Sequence, residues 1–179
     1  MPELHASPAI QDLKSIGEGA GVRARLCPSQ PIVSVLARKD RDFAAEFGIA
    51  DAPKQSSFNG KTVLGIGPGR WLFLGQPLED LTSPLIQGAS LSDHSDGYAL
   101  FEIWGPKARD ALARGVPLDL HPDSFSDHVA VTVIAHIGAI LWQSGPDRFT
   151  LAVFRSYAGS FWHWLSASAA PFGLIVESS

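Results

Sequence analysis

The sequence predicts an α+β fold built from two successive modules that share one order of elements. Residues 31–93 and 98–177 each read as strand, helix, strand, strand, helix, strand, with one further short strand in the second segment. Both segments also contain the motif Gly-Pro-x-Arg-aromatic, at residues 67–71 and 145–149. This internal repeat indicates that each half is a small unit of helices on a sheet.

The length and composition are those of a globular protein. The 179 residues are 45% hydrophobic and 18% charged, which is too apolar for a disordered chain. Fourteen Lys and Arg against eighteen Asp and Glu give a net charge of −4, and the basic residues are scattered. Nucleic acid is therefore not an expected partner.

Features of the chain's N-terminus and its thiol content bear on its location. The N-terminus lacks the basic and then apolar order of a secretory signal, and no run approaches the ~20 apolar residues of a membrane span. The single cysteine, Cys27, cannot form an internal disulfide or a multi-thiolate metal site. These features predict a cytoplasmic protein without a membrane segment.

The first part of the chain divides into an arm and a module. Residues 1–29 are predicted to be an irregular N-terminal arm, because Pro and Gly interrupt every apolar run. The first module, residues 30–96, contains the signals of alternating strands and helices. Its predicted elements are a strand at 31–37, a helix capped by Asp40 and ended by Gly48, a hairpin of strands at 61–66 and 70–74, a weaker helix from Pro77 and a closing strand at 90–93.

The second module, residues 97–179, repeats this course with a longer final helix. Proline after glycine is typical of a helix start, and glycine of a helix end. The predicted elements are a strand at 98–104, a helix opened by Gly105-Pro106 with Ala108, Ala111 and Leu112 inward and Gly115 as its end, strands at 129–137, 139–142 and 148–154, a helix at 156–168 and a strand at 173–177.

The glycine-rich stretch Gly67-Pro68-Gly69 is interpreted as a structural turn. A phosphate-binding loop places its glycines between a strand and a helix N-terminus, where free amides and the helix dipole meet the anion. Here an apolar strand follows instead, and Gly145-Pro146 repeats the arrangement in the second half. Both sites are therefore predicted to be hairpin turns without a nucleotide.

No residue set satisfies the requirements of a catalytic or metal site. Residues 92–96, Ser-Asp-His-Ser-Asp, contain the residue types of a hydrolytic triad, but neighbours on an extended chain point to opposite sides. The six histidines include no pair at i, i+4, which argues against a metal. His136 lies within a predicted apolar strand and is interpreted as a structural histidine.

The last predicted helix is unusually aromatic and suggests a protein interface. If Tyr157, Phe161, Trp164 and Leu165 form its buried face, Trp162 and His163 point the other way. Exposed tryptophans are enriched at interfaces, so both are candidate interface residues. The alternative is a broad core stripe that also contains Trp162.

Several motifs resemble a known family. Residues 92–95, Ser-Asp-His-Ser, followed by Gly-Tyr-Ala-Leu-Phe-Glu-Ile-Trp-Gly-Pro-Lys-Ala over 97–108, resemble aminomethyltransferases of the glycine-cleavage T-protein group. Gly-Pro-Gly-Arg-Trp before Leu72, Ala135-His-Ile-Gly, Leu141-Trp142 and Arg155-Ser-Tyr-Ala…Phe-Trp-His-Trp-Leu resemble the gamma subunits of heterotetrameric sarcosine oxidases. The resemblance covers roughly residues 30–176.

The resemblance implies a folate-binding-like fold of two fused ferredoxin-like modules, βαββαβ in type. It also implies membership of a complex that oxidises sarcosine to glycine and releases hydrogen peroxide. The family's FAD, FMN, NAD and tetrahydrofolate sites belong to the other subunits, so no cofactor is expected in this chain. The chain is then a subunit of an oxidoreductase without a catalytic residue of its own.

The resemblance also implies a partner, which is most simply the large subunit on the folate side. Aminomethyltransferases carry an acidic residue that holds the folate pterin in the region corresponding to residues 136–143, where this chain has Leu141 and Trp142. Trp142 is therefore a third candidate interface residue. Two alternatives stay open: a stand-alone folate-binding or aminomethyltransferase-like protein, and a self-associating scaffold unrelated to sarcosine.

Overall fold

The architecture is that of a computed structural model, which describes residues 9–10, 13–39, 42–81 and 87–178. The strands are β1 (Val22–Leu26), β2 (Ile32–Ala37), β3 (Gln55–Phe58), β4 (Lys61–Gly67), β5 (Arg70–Leu74), β6 (Ala89–Asp93), β7 (Tyr98–Trp104), β8 (Val129–Ile134), β9 (Ile137–Gly145), β10 (Arg148–Phe154) and β11 (Leu174–Val176). The α-helices are α1 (Phe43–Phe47), α2 (Ala108–Leu112), α3 (Pro122–Phe125) and α4 (Ala158–Ala169), with 3₁₀ turns at Leu78–Asp80, Arg155–Tyr157 and Ala170–Phe172.

The strands form two sheets, and the order of the central strands is equivalent in the two. The five-stranded sheet has the order β3-β4-β5-β2-β6 and is antiparallel throughout. The six-stranded sheet has the order β11-β1-β7-β10-β9-β8, and only its β1–β11 pair is parallel. The described part of the chain is thus a mixed α+β fold, as the sequence predicted.

Three apolar clusters hold the layers together. One lies between the six-stranded sheet and helices α2 and α4, and a second lies between the five-stranded sheet and α1. The third consists of residues from the facing sides of the two sheets, Ile32, Leu64, Leu72 and Leu74 against Leu100, Val129, Ile140, Trp142 and Ala152. Both sheets are therefore buried on two faces over part of their area, which explains their long apolar runs.

The N-terminal segment is more regular than the sequence analysis predicted. Val22–Leu26 forms β1, which lies between β7 and β11 in the six-stranded sheet. Val22 and Ala24 are fully buried, and their neighbours Arg23 and Arg25 point to the opposite face. The irregular-arm prediction is wrong over these residues, because an alternation of only five residues beside several glycines gives a weak strand signal.

The two Gly-Pro motifs lie at corresponding hairpins, although Gly67 and Gly145, which were predicted to be turn residues, are the last residues of β4 and β9. Pro68-Gly69 joins β4 to β5, and Pro146-Asp147 joins β9 to β10. Gly69 has φ +65° and Asp147 has φ +49°. A strand follows each turn, and each hairpin contains a bulge opposite its arginine, where Gly67 pairs with Arg70 and Gly145 pairs with Arg148.

The aromatic residue after each arginine is buried under a helix. Trp71 is 2% exposed in the cluster beneath α1, and Phe149 is fully buried beneath α2 and α4. The arginine one residue earlier points to the other face of its sheet. The residues of the repeated motif therefore occupy corresponding positions in the two hairpins.

Some element boundaries differ from the predictions. Helix α1 ends at Gly48 in the left-handed conformation as predicted, but Asp42 caps it by accepting from the Ala45 N–H. Asp40 lies outside the described residues. The segment after Pro77 forms a 3₁₀ turn, and residues 82–86 lie outside the described ranges. Helix α2 begins at Ala108, with the three predicted inward residues buried.

Two hairpin turns were missed. β3 pairs with β4 across Asn59-Gly60, which have φ +50° and +72°. Asn-Gly is a strong hairpin signal, but the polar sequence of β3 concealed the strand. His136 is the second correction, because it is exposed and forms the turn between β8 and β9 with the half-buried Ala135, the two residues having φ +70° and +47°. The continuous apolar run around it contains no proline and no glycine before Gly138 to mark that turn.

Candidate partner-binding surface

The aromatic helix α4 does not present Trp162 to solvent. Trp162 is 9% exposed and stacks on Phe101, with ring centroids 6.4 Å apart and planes inclined by 12°. Tyr157, predicted to be buried, is 53% exposed. The outward orientation predicted for Trp162 is therefore wrong, because α4 packs against both the sheet and α2, and more than one stripe is covered.

Of the other two candidate interface residues, one is buried and one is exposed. Trp142 is 3% exposed and belongs to the cluster between the sheets, while its neighbour Leu141 is fully buried on the helix side. His163 is exposed on α4. Of the three residues predicted to lie at an interface, His163 is therefore at the surface, and Trp142 and Trp162 are in the core.

The polar segment at residues 92–96 contains the end of β6, at Asp93, and the start of the turn that follows it. The carboxylate Oδ1 of Asp93 accepts from the Ser95 N–H at 2.9 Å and from the Ser95 hydroxyl at 2.5 Å. These bonds hold the pKa of Asp93 below its usual value. The Ser95 Oγ in turn accepts from the Ile32 N–H at 3.0 Å. The serine is thus committed to structural bonds and shows no catalytic arrangement with a histidine.

A charged cluster on the six-stranded sheet was not found from the sequence. Glu102 has a side chain only 11% exposed, and its Oε2 forms ion pairs with Arg25 at 2.6 Å and with Arg148 at 3.0 Å. The guanidinium of Arg148 lies 4.5 Å from the ring centroid of Trp104. These residues come from three adjacent strands, so only the strand order reveals the cluster. It can hold the strands together and can offer arginine and tryptophan to a partner.

A cavity of about 410 Å³ lies where the ends of β1, β2 and β7 meet. Its lining combines apolar residues at the ends of these strands with polar and charged ones, namely Cys27, Ser29, Gln30, Ser95, Asp96, Tyr98 and Arg155. Burial raises the pKa of the Cys27 thiol and of the Tyr98 phenol. Both groups are therefore neutral near pH 7, and the thiol is a poor nucleophile.

A smaller cleft of about 200 Å³ is lined by Gly138 and by residues of both sheets. We call it the Gly138 cleft; its lining includes Ile66, Arg70, Tyr98, Val131, Gly138 and Phe154. Val131 is 60% exposed and Phe154 is 51% exposed, which is unusual for large apolar residues. Outside its chain neighbours, no described atom lies within 4 Å of a Cβ built on Gly138.

The walls of the Gly138 cleft are fixed by ring stacking and carry one charge. Phe154 stacks on Tyr98 with centroids 5.2 Å apart and planes inclined by 16°. Arg70 is the only charged side chain among the described lining residues. Leu36, which is 51% exposed, pairs with Arg70 on the adjacent strand and extends the apolar surface. The cleft thus offers a rigid apolar hole with a cation at its rim.

Within the described ranges, no group of three or more His, Cys, Asp or Glu could hold a metal ion. No helix in that part of the chain is long and apolar enough to cross a membrane.

Residues 81–171 match the model of the sarcosine oxidase gamma subunit family. The sarcosine oxidase subunit gamma of Corynebacterium sp. strain P-1 is 28% identical over 122 residues, which is 65% of this chain and 60% of the relative. That of strain U-96 is 29% identical over 121 residues, or 64% and 58%. The aligned part thus spans about 60% of the length of these curated relatives.

Two solved structures share the fold. A heterotetrameric sarcosine oxidase from Corynebacterium sp. U-96, in complex with pyrrole 2-carboxylate, matches with a TM-score of 0.76 and 23% identity over 88% of both chains. The aminomethyltransferase T of the glycine cleavage system from Bartonella henselae matches with a TM-score of 0.63 and 13% identity, over 89% of this chain and 48% of that one.

Proposed function

Because the chain belongs to the sarcosine oxidase gamma subunit family, we propose that it is the gamma-type accessory subunit of a heterotetrameric sarcosine oxidase. The match to the family over residues 81–171 carries this proposal. The complex would oxidatively demethylate sarcosine to glycine and release hydrogen peroxide. FAD, FMN, NAD and tetrahydrofolate would be held by the partner subunits, and the assembly would work in the cytoplasm.

The role proposed for this chain is contact rather than catalysis. Leu141 and Trp142 are buried apolar residues in the region where aminomethyltransferases carry the acid that holds folate. Ser95 and Asp93 hold a turn, and the Cys27 thiol is neutral near pH 7 because burial raises its pKa. The partner would be the large subunit on the folate side. Its contact surface would include His163, with Trp142 and Trp162 buried behind the surface as support.

We also propose that the fold consists of two fused ferredoxin-like modules, residues 30–96 and 97–179. The orders β6-β2-β5-β4 and β11-β1-β7-β10-β9 support this, since each has the fourth, first, third and second strands of a βαββαβ unit in sequence. β1 intervenes in the second sheet. The N-terminal segment 1–29 would then contribute a strand to the second module.

Co-expression with the other subunits of the oxidase tests the function. A tagged chain should co-purify with them, and the purified assembly should release hydrogen peroxide when sarcosine is added. Omission of this chain should reduce the yield of assembled oxidase. Recovery of a fully active oxidase of unchanged yield without the chain would contradict the proposal.

Calorimetry on the lone chain separates the two alternatives. Titration of tetrahydrofolate into the lone chain should give no heat of binding, whereas a stand-alone folate-binding protein would bind it. A self-associating scaffold would instead be recovered from its native cells as an oligomer of one component.

A further inference from the structure

We propose that the Gly138 cleft receives an apolar side chain of the partner subunit, with an adjacent carboxylate of that partner on Arg70. This inference rests on the proposed accessory function and adds the docking position and the chemistry of the occupant. The cleft lies between the two sheets and combines a wide apolar wall with a single cation. The occupant is a polypeptide segment of the partner.

The size of the cleft favours a side chain over a small molecule. Its volume is about 200 Å³. Sites for small molecules usually enclose roughly 300–1,000 Å³. An inserted leucine or phenylalanine side chain would be covered by Ile66 from the five-stranded sheet and by Val131 and Phe154 from the other sheet.

The exposure of the lining shows that the apolar area lacks a cover within the described chain. Val131, Val133, Phe154 and Leu36 are each more than half exposed, at 60%, 54%, 51% and 51%. Val133 pairs with Gly138, and Leu36 pairs with Arg70, so both border the cleft. Burial of apolar area of this kind by a partner favours association.

The geometry at Gly138, which forms the floor of the cleft, favours the insertion of a partner side chain. Gly138 lies in β9 without a positive φ, and a Cβ there would meet no described atom within 4 Å outside its chain neighbours. The space above it therefore results from the missing side chain and is not filled from elsewhere in that part of the protein. The stacked Tyr98 and Phe154 rings fix one wall before any partner arrives, which reduces the entropy cost of binding.

The charge of the rim specifies the second part of the occupant. Arg70 is exposed and is the only charged residue among the described lining residues. A partner carboxylate beside the inserted side chain could accept two hydrogen bonds from its guanidinium. A partner lysine or arginine at that position would be repelled.

Two variants test the cleft in the co-expressed complex. Gly138→Phe should fill the cleft with the chain's own ring and weaken partner binding on the order of tenfold or more. Arg70→Glu should weaken binding on the order of tenfold and should shift the salt dependence. The matched controls are Lys61→Phe and Lys61→Glu, a bulky and a charge-reversing change at an exposed lysine at the far end of β4.

The outcomes separate the inference from the function on which it rests. Partner binding by the wild type and both controls, with loss in both test variants, supports the inference, provided that the lone variants melt like the wild type. If wild type binds its partners and the test variants bind them equally well, the cleft inference fails and the accessory function stands. If no partner co-purifies with the wild-type chain, the cleft inference and the accessory function both fail. A lone chain that dimerises through the cleft, so that Gly138→Phe abolishes the dimer, would overturn the choice of occupant.

Discussion

The indole of Trp164 lies directly over Gly115, so close that a Cβ on the glycine would be 2.6 Å from Cζ2 of the ring. Gly115 follows α2, and Trp164 projects from α4. The absence of a side chain at Gly115 therefore sets how closely the two helices approach.

Gly115→Ala should destabilise the chain by about 1 to 3 kcal/mol, because the indole has to shift out of its packed position. Chemical denaturation of the lone chain measures this. The control is Gly159→Ala, where the methyl group meets no described atom and helix propensity improves. Equal stability of the two variants would show that the helices can separate at no cost.

Gly69→Ala should cost about 1 kcal/mol of folding stability, since Gly69 adopts a φ of +65° that a residue with a Cβ avoids. Gly67→Ala should change stability by less than about 0.5 kcal/mol, because Gly67 has no positive φ and its Cβ would lie 3.8 Å from the Arg70 side chain. Thermal melting compares the two. A greater loss at Gly67 would contradict the assignment of the turn.

Trp162→Ala should lower the stability of the lone chain by about 3 to 5 kcal/mol, because it removes a buried ring that stacks on Phe101. His163→Ala, one residue further along α4, is the control and should stay within about 0.5 kcal/mol. Urea denaturation gives both values. A Trp162→Ala chain as stable as wild type would mean that the indole is a surface group.

Glu102→Gln should destabilise the chain by about 1 to 3 kcal/mol, because it leaves Arg25 and Arg148 without their shared carboxylate. The arginine side chains are 39% and 35% exposed, and water reduces the cost. Glu177→Gln removes a more exposed ion pair with Arg23 and should cost less. Denaturation at low and high salt tests the difference, and identical losses would argue against the buried cluster.

Cys27 should make stability depend on alkaline pH. Burial raises the pKa of its thiol above the ordinary value of 9.0, so the folded state holds the proton more tightly than the unfolded state. The contribution is complete below pH 9.0 and is lost as the pH rises through the folded pKa. Cys27→Ala should show a smaller loss of stability over this range, measured against wild type by denaturation. A steeper loss in the variant would contradict the direction of the shift.

The sequence predicted the parts of the fold that local signals define. The hairpin from Lys61 to Leu74 and the buried face of α2 followed from turn residues and apolar spacing. β1 was missed because its five-residue alternation is a weak local signal and because its partners, β7 and β11, lie far from it in the sequence. The same limit applies to the Glu102 cluster and the Gly138 cleft, which join residues from strands that are adjacent only after folding.

The orientation of α4 shows a different limit. Helical spacing assigns one buried stripe, but α4 contacts the sheet on one side and α2 on another. Trp162 therefore became part of the core although the spacing placed it outside. Only the packing of a second helix could have shown this.

The position of β1 couples the beginning of the chain to its end. Val22 pairs with Leu174, and Arg23 pairs with Trp104, so the earliest strand bridges two strands that are synthesised much later. During synthesis, β1 cannot pair until β7 and then β11 have been made. Pairing between segments that are far apart in the sequence is typical of slow folding. For the same reason, a fragment that starts after residue 30 would carry β11 without the strand that joins it to β7, and the second half could not be excised as an independent unit.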